Sequence, residues 1–338
     1  MTPSPSIDGV LVQWGERLFD PPNRIVKPGA PARLSALSPQ RRAAVIRRRI
    51  EATVVRRAPQ VMVKVTGGGR GMAAIAAHLR YISKAGRLDI EDERDVVHEG
   101  KEALNNLVDQ WRHGGSLIGE VSPRREAFNI MLSMPSGTDP QFVMKAAREF
   151  AQTELADHSY VMVLHEHQAN PHVHLAVRAE SRWGTRLNPR KGDLHRWRET
   201  FAEKLRGWGV EAEATRQASR FESRNFDPIW RVKAQQEGRL SRDASVQHTK
   251  SGNAHQRNRK GALEAWWNIR EALKRSDAPQ DRELAQRIEN FMTSTRFVQD
   301  VIREQRRQKG IVAVTRERKI EPPQPTPTKP RPDPEWVR

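Results

Sequence analysis

The sequence predicts an α+β domain built on an antiparallel central sheet with helices, of the split-βαβ kind, followed by a helical C-terminal extension. Between residues 61 and 207, short β-branched apolar runs and helical periodicities follow one another in the order β-α-β-α-β-β-α. Two of those strands are consecutive, with only Gln168-Ala169-Asn170-Pro171 between them, a spacing that parallel neighbours with their long crossovers do not allow. Beyond residue 226, Trp266, Trp267 and Ile269 mark a packed helical seam in an otherwise basic region.

Residues 1–36 are polar and proline-rich and read as a loosely ordered arm. Ser38-Pro39 supplies an N-cap and a proline at the first helical position. The helix behind it, 39–57, carries Arg41, Arg42, Arg47, Arg48, Arg49, Arg56 and Arg57, with Val45, Ile46, Ile50 and Val54 on another side. Such a basic amphipathic helix either docks on DNA phosphate or is a plain solvated face, and the sequence leaves both open. VMVKVT (61–66) reads as a strand and runs into Gly67-Gly68-Gly69-Arg70-Gly71. Because the Gly-Lys-Ser/Thr ending of a nucleotide loop is missing, this run reads as a flexible connection bearing an arginine. Helix follows over 72–84, closed by Gly86, and again over 99–112. FNIMLSM (128–134) is a strand ending in Pro135-Ser136-Gly137, 140–156 an amphipathic helix, and 193–207 a helix after the two consecutive strands. Helical patterns recur at 228–237, 259–275 and 280–308. The expected organisation is a basic arm and helix (1–57), an α+β domain (58–225), a basic helical extension (226–320) and a proline-rich disordered tail (321–338).

Composition narrows the partner. The chain has 59 Lys plus Arg against 41 Asp plus Glu, a net charge of +18, and a sequence pI near 10.9. That surplus points to a polyanion, most simply nucleic acid. No run of eighteen apolar residues and no signal-peptide core is present, so membrane insertion is not expected. The absence of cysteine excludes disulfides and cysteine-ligated zinc and fits a reducing cytoplasm.

The stretch YVMVLHEHQANPHVHLAVRAE, Tyr160 to Glu180, places His165, His167, His172 and His174 within ten residues. In strands, residues two apart share a face, so two adjacent antiparallel strands gather three or four imidazoles on one patch. The helical zinc-protease pattern is excluded, since Ala169 stands four residues after His165. A divalent metal ion is the expected cofactor: magnesium or manganese first, then zinc, cobalt or nickel, although nitrogen-only ligation by itself suits the last three and manganese better than magnesium. Three protein ligands leave positions open for substrate. There are two tyrosines, Tyr81 on an arginine-flanked helix and Tyr160 at the start of the histidine strand. Beside a Lewis acid that polarises a phosphodiester, a phenol can become a nucleophile toward phosphorus.

The residues 165–177 resemble the H-x-D-x-x-N-P-H-x-H-x-x-V signature of HUH-type relaxases, with His165, His172 and His174 as the three histidines. The segment His78-Leu79-Arg80-Tyr81-Ile82-Ser83-Lys84 is similar to that family's nucleophile motif, and Ser133-Met134-Pro135-Ser136-Gly137 looks like its second motif. Gly184-Thr185-Arg186-Leu187-Asn188 and the Trp197-Arg198-Glu199 helix are similar to the segment downstream of the histidines, so the resemblance spans roughly residues 60–215. It implies an HUH endonuclease fold and a metal-dependent, strand-specific DNA-nicking enzyme with Tyr81 as nucleophile and His165, His172 and His174 on the metal. It implies that Ser133, with Arg80, Lys84 and Arg186, contacts DNA. The implied partners are single-stranded DNA at an origin of transfer, an accessory relaxosome protein and a type IV coupling protein. The implied location is cytoplasmic, with export of the DNA-bound protein to a recipient cell. One departure stands out: the family's acidic position is His167 here, with Glu166 beside it, and both are expected to act behind the metal ligands or toward DNA.

Overall fold

The computed structural model describes residues 6–19, 37–166, 170–222, 234, 238–239 and 252–307. Residues 1–289 form one compact unit and 290–338 a second. In the second, the described residues 290–307 are helical except at Thr295. No helix among the described residues is long and apolar enough to cross a membrane.

The first unit is organised by a six-stranded sheet in the order β1-β4-β6-β5-β2-β3, antiparallel throughout. Its strands are β1 (Met62–Gly67), β2 (Ile90–Asp92), β3 (Val97–His98), β4 (Ala127–Ser133), β5 (Tyr160–His165) and β6 (His172–Arg178). Helices cover both faces, which is why the central strands β4, β5 and β6 are buried on nearly every residue instead of alternating. On one face Ile130, Leu132, Met162, Val173, Leu175 and Val177 pack with Phe150 and Ala147 of α5 (Pro140–Glu154) and Trp197, Phe201 and Leu205 of α6 (Lys191–Gly207). On the other face Val161, Val163 and Ala176 pack with Ile75, Leu79 and Ile82 of α3 (Met72–Ile82) and Leu104, Leu107 and Trp111 of α4 (Gly100–His113).

The short hairpin β2–β3 was not legible in the sequence. It adds to the β5 edge through Glu91↔Met162 and Asp92↔Val161. Arg148 of α5 pairs with Glu91 at 2.7 Å. Burial works to raise the Asp92 carboxyl, but Arg94, the Val96 amide and His98 all donate to it and hold it down to about 2.

The N-terminal arm is corrected. Residues Ile7–Phe19 form a helix, α1, that buries Leu11, Gly15, Leu18 and Phe19, the stripe expected of an amphipathic helix. It packs against α2 (Pro39–Val54) and against α7 (Asn253–Lys274), with the Phe19 and Trp266 rings edge-on at 6.1 Å. The Ser38 hydroxyl caps α2 as the sequence indicated. The arginines of α2 divide. Arg42 pairs with Glu16, Arg47 with Asp8 and Asp281, and Arg56 with Glu211, while Arg41 and Arg48 are exposed. Arg49 reaches Glu199 at 2.7 Å and Glu213 at 3.5 Å and stacks over Phe19. Much of this helix's charge is therefore engaged inside the protein rather than offered to DNA. Burial pushes the Glu213 carboxyl up despite Arg49 and Arg206, so removing Arg49 leaves a poorly solvated acid behind. Arg49→Ala is expected to cost about 2–4 kcal/mol, read as a lowered urea midpoint, because breaking a buried pair from one side strands its partner.

The patterns at 228–237 and the tail 321–338 lie outside the described residues, apart from Ala234. The pattern at 259–275 belongs to α7, and 280–308 to α8 (Pro279–Ser294) with the helical residues 296–307.

Candidate metal centre

Strand alternation assembles the histidines. Register pairs His165 with His172 across β5 and β6, and His174 with Val163 one step along. All three therefore lie on the face shared with Val161, Val163 and Ala176, under α3. Their ring centroids are 5.0 Å (His165–His172), 4.6 Å (His165–His174) and 5.0 Å (His172–His174) apart. One ligating atom from each lies within 4.8 Å of the others. Two nitrogens each about 2.1 Å from one ion stand at most about 4.2 Å apart, so a small inward movement fits these rings to a divalent ion. His167, expected near this patch, lies outside the described residues, and Glu166 is exposed beside His165.

Two of the three rings are oriented by main-chain carbonyls. His172 Nδ1 bonds the Asn170 carbonyl at 2.9 Å, directing its other nitrogen to the cluster. His165 Nε2 bonds the Ile82 carbonyl at 2.6 Å. This second bond joins the histidine cluster to the residue that follows Tyr81. His174 is held neutral, its pKa lowered to about 3 by burial and then by repulsion from His165, His172 and His78. A neutral imidazole is the form that binds metal.

Chain geometry explains how the end of α3 that bears Tyr81 reaches the histidine end of the sheet. β1 starts beside Ser133, at the histidine end of the sheet, and leads away from it. The glycine run then turns the chain, and the eleven residues of α3, about 16 Å of helix, bring it back. The run is neither a phosphate cradle nor a loose connection. Gly69 N–H donates to Ala127 O, Met72 N–H to Gly119 O, Ala73 N–H to Glu120 O and the Arg70 guanidinium to Pro123 O. The first two amides of α3, those of Met72 and Ala73, are thus already paired within the protein.

At the other end α3 stops sharply. Buried Ser83 bonds the Leu79 carbonyl and accepts from Gly86 N–H. Lys84, Ala85 and Gly86 follow with φ of +50°, +61° and +83°. Only glycine fits the last of these, since a Cβ there would meet the Gly100 carbonyl at 2.7 Å. This fixed exit holds Tyr81, which is 61% exposed, in a shallow cleft with Arg80, Lys84, Ala85, Arg87 and Leu88. Tyr160 is 2% exposed. Burial, followed by the charges of Asp95, Glu93, Glu91 and Asp92, pushes its phenol up to about 12.

The remaining expected residues fall in two places. Ser133 pairs with His172 in the sheet but is buried, its hydroxyl donating to the Pro171 carbonyl at 3.2 Å. It braces the turn that presents His172. Arg186 bridges Glu180 and Glu126, both near the Arg178 end of β6, away from the histidines. Next to the cluster the sheet face is open where Met62, Lys64 and Thr66 of β1 are exposed. The sequence reading missed Ile82, whose contribution is a carbonyl that no residue type signals, and His78, whose ring stands 6.5 Å from that of His174.

Residues 81–210 match the family model "Relaxase: MobA/VirD2-like, nuclease domain". This part of the chain is similar to a relaxase nuclease domain. The match begins at Tyr81 and takes in all three clustered histidines and Ser133, so β1 and most of α3 precede it. No curated protein matches the chain. In the matched region the histidine cluster supplies a donor set suited to a divalent ion.

Proposed function

We propose that the chain nicks one DNA strand at an origin of transfer by metal-dependent transesterification, with Tyr81 as nucleophile and His165, His172 and His174 as the metal ligands. The observation that carries this reading is the bond from His165 to the Ile82 carbonyl, which ties the cluster to the helix turn bearing the exposed tyrosine. A bound divalent ion would polarise the scissile phosphate and stabilise the charge that develops on it. The chain's own groups do the rest. Arg80, Lys84 and Arg87 draw the phosphate backbone toward the Tyr81 hydroxyl. The open strip at Met62, Lys64 and Thr66 gives the strand a path along the sheet face. The Tyr81 Oη–P bond forms and the P–O3′ bond breaks, with the phenolic proton balancing the new 3′-hydroxyl. The products are a 5′-phosphotyrosyl adduct and a free 3′-hydroxyl, whose attack on the adduct reseals the strand. Arg186, paired far from the cluster, contacts DNA outside the nick, and Glu166 faces solvent beside the ligands. Conjugative transfer with an accessory relaxosome protein, a type IV coupling protein and delivery through the secretion channel follows from the family reading.

The test is incubation of the full chain with end-labelled single-stranded origin DNA and manganese, followed by a denaturing gel. A denaturation-resistant protein–DNA adduct that chelator prevents is the expected result. Cleavage to a free 5′-phosphate without adduct would instead mark a hydrolase that uses water.

A further inference from the structure

We propose that His78 positions His174 by accepting, through one water molecule, the ring N–H that His174 turns away from the metal. A ligating histidine needs its second nitrogen held, since that bond sets both the tautomer and the orientation of the ring. His165 and His172 have such partners in the carbonyls of Ile82 and Asn170. His174 Nδ1 is buried and has no hydrogen-bond partner among the described residues, and the same is true of His78 Nε2. The two rings meet edge-on, at an interplanar angle of 79° and a centroid separation of 6.5 Å. That separation is too long for a direct N–H···N bond and leaves room for one bridging water, which accepts from His174 and donates to His78. His78 and Ile82 stand four apart on α3, one turn above the other, so a single helix orients two of the three ligands, one through each residue. Tyr81 sits between them in sequence. The position of the nucleophile helix and the shape of the metal site are thereby coupled.

This inference rests on the three-histidine metal reading, and the experiment separates the two. Cobalt(II) is titrated into the metal-free full chain and into His78→Phe and His78→Gln, following visible absorption, with thermal unfolding of each metal-free protein alongside. His78→Phe should bind cobalt about 10–100-fold more weakly, with a changed spectrum and a wild-type-like unfolding temperature. His78→Gln, whose amide oxygen can still accept, should recover most of the affinity and the wild-type spectrum. Equal cobalt affinity and spectrum in wild type and His78→Phe would overturn the role of His78 and leave the metal site standing. A Gln variant as weak as the Phe variant would also overturn it, showing that only ring packing mattered. Failure of the wild type to bind cobalt would remove the metal reading and this inference with it. Should His78→Phe not fold, His78→Leu, smaller and equally without an acceptor, takes its place.

Discussion

Tyr81→Phe is expected to lower covalent adduct formation by about 10³-fold or more, because the variant lacks the attacking atom itself. Non-covalent DNA affinity should change little, since the ring, the exposed setting and the neighbouring Arg80, Lys84 and Arg87 all remain. Tyr160→Phe provides the control. Its phenol is buried and pushed up to about 12, so it neither reaches a phosphate nor ionises readily, and the variant should keep its adduct. A gel shift alongside the denaturing gel separates binding from chemistry. Adduct formation lost in the Tyr160 variant and kept in the Tyr81 variant would reverse the assignment.

The second large effect belongs to the ligands. A structural zinc site with four ligands is worth about 10–16 kcal/mol, so one nitrogen is worth roughly 2.5–4 kcal/mol, or about 10²–10³ in affinity. His172→Ala and His174→Ala should each weaken manganese or cobalt binding by that factor in a calorimetric titration and stop nicking at ordinary metal concentrations. The metal-free protein should also lose stability in acid. His174 takes up its proton only near pH 3 when folded but near pH 6.5 when unfolded. Between those values the unfolded chain binds the extra proton, so folding stability falls as the pH drops from 6.5 toward 3. His174→Ala should flatten that part of the stability curve, measured by urea unfolding without metal. A variant that keeps both full metal affinity and the wild-type acid response would exclude His174 from the centre.

The sequence revealed the parts of this molecule that repeat along the chain and hid those that depend on distant contacts. The histidine strands were readable because alternation and the Asn170-Pro171 turn fix which side chains share a face, and the register His165↔His172 follows from them. Helices α3, α5 and α6 were readable from their apolar periodicity, and the Asp139 carboxylate caps α5 by accepting from Gln141 N–H. The hairpin at 90–98 was not, because two- and three-residue strands are too short to show a period. α1 was passed over because prolines flank it and its apolar face is stabilised by α2 and α7, far away in sequence. The bond from the Ser133 hydroxyl to the Pro171 carbonyl was likewise invisible, since the main-chain acceptor lies 38 residues away. The arginines of α2 left a DNA surface and a solvated face both open, because their partners Asp8, Glu199, Glu213 and Asp281 are distant in sequence.

The most direct measurement is peptide mapping of the covalent product. The full chain is reacted with a short origin oligonucleotide and manganese, the DNA is trimmed with nuclease, and the protein is digested for mass spectrometry. The expected result is a single nucleotide-phosphate modification on the peptide containing Tyr81, absent when chelator is added. A modification on Tyr160, on a serine or on a histidine, or a cleaved oligonucleotide with no modified peptide, would contradict the assignment of Tyr81 as the nucleophile.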